Sequence, residues 1–286
     1  MRFQQWIKNI FVFAGLIFSR HFYNIDSVLT SIYAFFIFSI LSSGVYILND
    51  IVDYEEDRVH PYKSKRPIAA GMITRRSAGI WAAILLIVAL VLAYQVNYGF
   101  LFTCLVYLSM MTLYSLKVKH IVVLDVMFVA IGYVLRAIAG AVSISVEISS
   151  WLLLCTMLLA LFLVISKRRT EIIVLGEEAT KHRKALFQYS VDLLNQMIAI
   201  VTSACIVSYC LYTLAAETVT KFGTRNLIFT VPFVIYGIFR YLFLTFKKVE
   251  TGIPEKVLIK DLPLQICLLL WILVSLFILM STYSAE

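Results

Sequence analysis

The sequence predicts an all-α membrane protein: nine transmembrane helices in a bundle whose cavity is capped by cytoplasmic loops. Three observations carry this. Hydrophobic residues make up 61% of the 286 positions and mean hydropathy is +0.89, more apolar surface than a soluble domain can bury. The apolar residues fall into nine runs separated by breakers, most of them near the length of about 20 residues that a bilayer core demands. Lys and Arg collect at alternate connections, which is how membrane topology places charge. The net charge of +8 therefore calls for no nucleic acid.

In chain order the runs cover 7–19, 27–50, 77–96, 98–116, 121–143, 149–168, 188–217, 226–246 and 262–282. The first is short. Its apolar stretch, Ile10 to Phe18, is flanked by Lys8 and lacks a small-x-small cleavage site, so it reads as a retained helix, tilted or partly interfacial, and not as a signal peptide. Asn97 and Gly99, Ser143 to Ser150, Gly223, and Gly252 with Pro254 punctuate the later boundaries. No internal repeat, low-complexity segment or interdomain linker interrupts them, so residues 1–286 read as a single polytopic domain. The five cysteines (Cys104, Cys155, Cys205, Cys210, Cys267) all lie in apolar runs without CxxC spacing and read as small buried residues.

Charge sets the orientation. With nine spans, twenty Lys and Arg fall on the N-terminal side and three (Arg20, Lys221, Arg225) on the other, while Arg136 and Arg240 lie within spans. The N-terminus is then cytoplasmic and the C-terminus outside. Two cytoplasmic connections are long, 51–76 and 166–187, and between them lies Tyr114-Ser115-Leu116-Lys117-Val118-Lys119, followed by Asp125.

The chemistry concentrates at 49–66. Asn49, Asp53 and Asp57 recur every four residues. On a continuous helix they drift by only about 40° per step and span about 12 Å. Like charges in a row repel, and the row becomes favourable when hard divalent cations sit between it and a polyphosphate. Lys63, Lys65 and Arg66 follow closely, suited to phosphate oxygens that a metal leaves free. Arg136, near the middle of its span, calls for an interior partner: a lipid phosphate, Asp125, Asp192, or a structural ion pair. Asp192 reads equally as a metal ligand, an arginine partner or a helix-start acid. Arg240, close to the cytoplasmic end of its run, reads as snorkelling. The four histidines are scattered with no i, i+4 pair and suggest neither a zinc site nor a Ser-His-Asp arrangement.

Asn49-Asp50-x-x-Asp53-x-x-x-Asp57 resembles the first aspartate-rich motif of the UbiA superfamily, intramembrane enzymes of nine helices with a cavity open to the bilayer. The likeness is closer to the decaprenyl-phosphate phosphoribosyltransferase branch. It rests on Gln5-Trp6-Ile7-Lys8-Asn9, on Ser42-Ser43-Gly44-Val45-Tyr46-Ile47-Leu48, and on His60 to Gly71. Further on it rests on Tyr114 to Lys117, Val134-Leu135-Arg136-Ala137-Ile138-Ala139-Gly140, Lys167-Arg168-Arg169-Thr170-Glu171, and His182-Arg183 with Tyr189. It covers about residues 2–195. Where the prenyl-transferring members carry a second aspartate-rich motif, this chain has Lys167 to Glu171, which favours a phosphate-rich donor gripped by bases.

The resemblance implies transfer of 5-phosphoribosyl from phosphoribosyl diphosphate to a polyprenyl phosphate in a bacterial plasma membrane, a step toward a cell-envelope arabinose donor. It implies Mg²⁺ held by Asn49, Asp53 and Asp57, with Asp50 as a further catalytic acid. Substrate-binding candidates are Lys8, Lys63, Lys65, Arg66, Tyr114, Lys117, Arg136, Lys167, Arg168, Arg169, Glu171, Arg183 and Tyr189. Homo-oligomerisation is allowed, not required. Two other readings stay open: a prenyltransferase with an aromatic or haem acceptor, and a non-enzymatic lipid-phosphate carrier.

Overall fold

The computed structural model describes residues 3–19, 21–59, 63–175, 188–247, 257 and 260–283. Among these the regular structure is helical, without strands. A 3₁₀ run, Phe3–Phe13, leads into α1 (Ala14–Phe18). Then come α2 (Ile25–Val52), the short α3 (Tyr54–Val59), α4 (Arg75–Val96), α5 (Tyr98–Leu116) and α6 (Leu124–Ser143). The rest is α7 (Ser150–Leu175), α8 (Val191–Leu214), α9 (Ala216–Phe222), α10 (Val231–Lys247) and α11 (Leu262–Tyr283). Among the described residues eight helices are long and apolar enough to cross a membrane, and Gln5–Phe18 is a shorter apolar helix. The nine expected runs are thus eight long helices and the short first one. The tight winding offsets the shortness: about 2.0 Å per residue over the 3₁₀ run and 1.5 Å over α1 carry Phe3–Phe18 through about 30 Å.

The described chain forms two compact units, one of Met1–Ser149 with Glu177–Tyr189 and one of Ser150–Gly176 with Ser190–Glu286. In the first, Phe38, Phe100, Tyr107, Ile37 and Leu41 form a fully buried core with Val12 from the N-terminal run. Helix starts are capped locally. Asn24 accepts from the amides of Asp26 and Ser27, Thr74 from Ser77, and Asn97 from Phe100. Asn97 also donates to the carbonyls of Val142 and Ser143, tying the start of α5 to the end of α6.

The N-terminal run lies so close to α6 that a Cβ on Gly140 would sit 1.7 Å from the Val12 carbonyl oxygen, and one on Gly15 would sit 2.6 Å from the Ala141 Cα. Neither neighbour is a flexible side chain. Gly140→Ala is therefore expected to lower stability by about 3 kcal/mol or more, since backbone must move. Thermal unfolding in detergent measures this; an unchanged midpoint refutes the tight approach.

Val123, just before α6, has φ 70, a left-handed conformation that is strained for a β-branched residue. Its amide donates to the Tyr189 hydroxyl at 2.7 Å, and that hydroxyl donates to Asp125 at 2.7 Å. Tyr189 and Asp125 are both buried, so the strain is held by a satisfied hydrogen-bond chain.

In the second unit Phe162 meets Tyr241 edge-on at 5.1 Å, and Trp271 donates to Tyr209. Arg240 does not merely snorkel: its Nε and Nη2 reach both oxygens of Asp261 at 3.1 and 2.8 Å. Helix α7 runs to Leu175, so Lys167 to Glu171 are helical and the connection expected from 166 starts later. Hydropathy marks where a helix leaves the bilayer, not where it stops. Lys, Arg and Glu are good helix formers, and 26 residues make about 39 Å, longer than the hydrocarbon core.

Candidate active site

The acid row lies where α2 ends. Helix α2 closes at Val52, Asp53 caps it, and α3 begins at Tyr54. The backbone ladder still runs through: Asp53 N–H donates to the Asn49 carbonyl and Asp57 N–H to the Asp53 carbonyl, both at 2.8 Å. The four-residue spacing is therefore realised in space. Asn49 Nδ2 donates to Asp53 Oδ2 at 2.8 Å, and the Ser115 hydroxyl at the end of α5 donates to Asn49 Oδ1 at 3.0 Å.

Asp50, Asp53 and Asp57 are 8%, 6% and 2% exposed. Carboxylates so buried must be neutralised or bound. Arg66 Nη1 lies 3.1 Å from Asp50 Oδ1 and 2.5 Å from Asp57 Oδ2, so one guanidinium bridges two acids. Lys119 forms a short ion pair with Asp53 and is itself buried. The side chains thus pair as Asn49 with Asp53 and Asp50 with Asp57, where the spacing alone suggested a row of three. Among the described residues no three His, Cys, Asp or Glu side chains converge at metal-holding distance. The donor chemistry nonetheless fits a hard dication: the oxygens are carboxylate and amide, and Arg66 and Lys119 already bring positive charge to all three carboxylates.

The other candidates divide. Lys63 is half-buried, its carbonyl accepting from the Arg66 amide, and Lys65 is exposed. Tyr114 is buried while Lys117 points out. The basic side chain turned inward from that connection is Lys119, which sequence reasoning missed. A 3₁₀ turn, Val118–His120, follows Lys117, and it puts the two lysines on different sides. Arg183 lies outside the described residues.

Arg136 is 3% exposed. Its Nε donates to Asn9 Oδ1 at 2.8 Å, Nη1 to the Gly132 carbonyl at 2.6 Å and Nη2 to the Tyr107 hydroxyl at 2.8 Å. The rings of Phe38, Tyr107 and Tyr133 lie within 5.7 Å of the guanidinium. Asn9 in turn donates to Ser39 and Ser42, and Trp6 to Ser43. Among the described residues no carboxylate of its unit pairs with it: dipoles and π faces solvate the charge. Lys8 is half-buried and within electrostatic range of Tyr107.

In the second unit Lys167 is half-buried, Arg168 pairs with Glu171 at 2.7 Å, and Arg169 turns instead to Asn195 and Phe246. Neighbours on an α-helix point about 100° apart, so this basic run is not one cluster.

Apolar helices long enough to cross a membrane, with carboxylates buried where one of them ends, define an integral membrane protein. The chain belongs to the UbiA prenyltransferase family, whose model matches residues 9–168. It is 32% identical over 95% of its length, and 88% of the relative's, to decaprenyl-phosphate phosphoribosyltransferase of Mycolicibacterium smegmatis. Identity is again 32% to the Corynebacterium glutamicum enzyme of that name, over 95% of this chain and 83% of the relative. Among solved structures it superposes on a UbiA homologue from Archaeoglobus fulgidus bound to GPP and Mg²⁺. That match has a TM-score of 0.69 at 18% identity and covers 99% and 96% of the two chains. The apo UbiA homologue of Aeropyrum pernix K1 gives 0.70 at 16% identity, covering 96% and 99%.

Proposed function

We propose that this chain transfers a 5-phosphoribosyl group from phosphoribosyl diphosphate to a polyprenyl phosphate, releasing diphosphate, and that residues 1–286 act as one transferase. The observation that carries the reading is the buried carboxylate network bridged by Arg66 and Lys119, in a chain 32% identical over 95% of its length to enzymes of that activity. The membrane is a bacterial plasma membrane, with the N-terminus and acid network cytoplasmic and the C-terminus outside. The product feeds the cell-envelope arabinose donor.

The chemistry suits these residues. The acceptor phosphate is already an anionic nucleophile, so no Ser, His or Cys needs activating. Its oxygen bonds to ribose C1 as the C1–O bond to diphosphate breaks, and the bonding pair leaves with diphosphate. Asn49, Asp53 and Asp57, with Asp50, are the residues that would hold Mg²⁺, which when bound supplies charge to polarise the leaving group. Arg66 and Lys119 turn from the carboxylates toward the diphosphate oxygens and, with Lys63 and Lys65, stabilise the charge that develops there. Arg136, braced by Asn9 and Tyr107, holds positive potential toward lipid phosphate, with Lys8 nearer the surface. Buried Tyr114 lines the same end of α5, and Tyr189 holds the strained turn beside it.

The test supplies purified protein with Mg²⁺, labelled phosphoribosyl diphosphate and polyprenyl phosphate, and extracts into organic solvent. Label is expected in the organic phase. Diphosphate release only from a prenyl diphosphate with an aromatic acceptor, or no turnover with either pair, overturns the proposal.

A further inference from the structure

We propose that the second unit carries a site for an anionic phospholipid, whose phosphodiester sits on Arg169 and one of whose acyl chains lies in the groove between α8 and α10. Arg169 is 8% exposed, its Nε donates to Asn195 Oδ1 at 2.7 Å, and its guanidinium lies 3.8 Å from the Phe246 ring centroid. Neither partner carries charge. Glu171 is taken by Arg168, and Asp261 by Arg240. The two terminal nitrogens of Arg169 have no acceptor among the described residues, so a fork of donors built for a bidentate anion stays unfilled. A buried guanidinium without a counter-charge is unfavourable, and an anion restores the balance.

The groove supplies the rest of the molecule. It has a volume of about 370 Å³ and is walled by Asn195, Ala199 and Ser203 on α8 and by Phe243 and Phe246 on α10. Asn195, Ala199 and Ser203 recur at four-residue spacing, so one face of α8 runs about 12 Å down from Arg169's partner into the apolar layer. The Ser203 hydroxyl already donates to the Ala199 carbonyl at 2.8 Å, leaving the wall apolar to a guest. Phe243 and Phe246 are 47% and 46% exposed, so the groove opens sideways, where a bilayer offers acyl chains. At its upper end the Lys247 ammonium stands 5.1 Å from the Phe243 centroid, at the depth of a headgroup.

Charge selects the occupant. A phosphodiester brings one negative charge to the one positive charge of Arg169. A phosphomonoester brings about −1.5 to −2, leaving excess charge beside an apolar wall. The site is therefore assigned to a bilayer phospholipid and not to the polyprenyl phosphate acceptor, and it stands apart from the proposed reaction.

The experiment is native mass spectrometry of the full chain in detergent, titrated with phosphatidylglycerol, phosphatidylcholine and a polyprenyl monophosphate. Phosphatidylglycerol is expected to bind about tenfold more tightly than phosphatidylcholine, whose trimethylammonium cancels the phosphodiester's charge beside Arg169 and Lys247. R169Q is expected to erase that preference. A199W fills an exposed stretch of groove wall and leaves the cation untouched; it is expected to keep the thermal midpoint and to weaken phosphatidylglycerol binding at least as much. A preference that survives R169Q, binding indifferent to A199W, or polyprenyl monophosphate displacing phosphatidylglycerol at lower concentration each overturns the assignment.

Discussion

Asp57→Ala is expected to lower turnover by about 10³-fold or more while the protein still inserts and folds. Removing one group that stabilises charge in a transition state commonly lowers rates by about 10²–10³-fold, and a metal ligand acts on every step that needs the ion. The fold survives because Arg66, bridging two acids, keeps Asp50 at 3.1 Å when Asp57 is gone. Asp53→Ala is expected to lose turnover equally but to pay more in stability. Its partner Lys119 is 2% exposed, and a buried charge stripped of its partner is destabilising by about 3–5 kcal/mol. Turnover and thermal unfolding measured side by side separate the two effects. Near-normal turnover in Asp57→Ala refutes the ligand role given to that residue.

What could be read from the sequence follows from the range of the interactions involved. The spans were legible because burial in lipid is written in local hydropathy, and the acid row because a four-residue spacing survives the break at Asp53. Partners across the fold were not. Lys119 meets Asp53 across 66 positions and Arg136 meets Asn9 across 127. Local pattern ranks Lys117 and Lys119 alike; only the turn after α5 tells them apart. Three motifs around Asn9, Ser42 and Arg136 were each visible as resemblance, but their meeting in one hydrogen-bonded seam is a property of packing. The first segment was correctly read as short, yet its 3₁₀ winding has no signature in apolar spacing. The end of α7 is not legible locally, because charge marks the exit from the bilayer while the helix continues to Leu175.

Removing divalent cations is expected to reduce turnover to background without unfolding the protein, and Mg²⁺ to restore it. The two halves have separate causes. An incoming diphosphate meets Asp50, Asp53 and Asp57, and like charges at low dielectric repel strongly; only an ion between them makes the encounter favourable. The fold does not depend on that ion, because Arg66 and Lys119 already pair with the same carboxylates, two cations against three acids. It follows that Lys119 and the metal compete for Asp53. Lys119→Gln is expected to bind Mg²⁺ more tightly by calorimetry and yet to turn over more slowly, since the side chain that would move onto the diphosphate has lost its charge. Full activity after thorough chelation sinks the metal assignment. Weaker Mg²⁺ binding in Lys119→Gln sinks the competition and leaves Lys119 a mere structural partner.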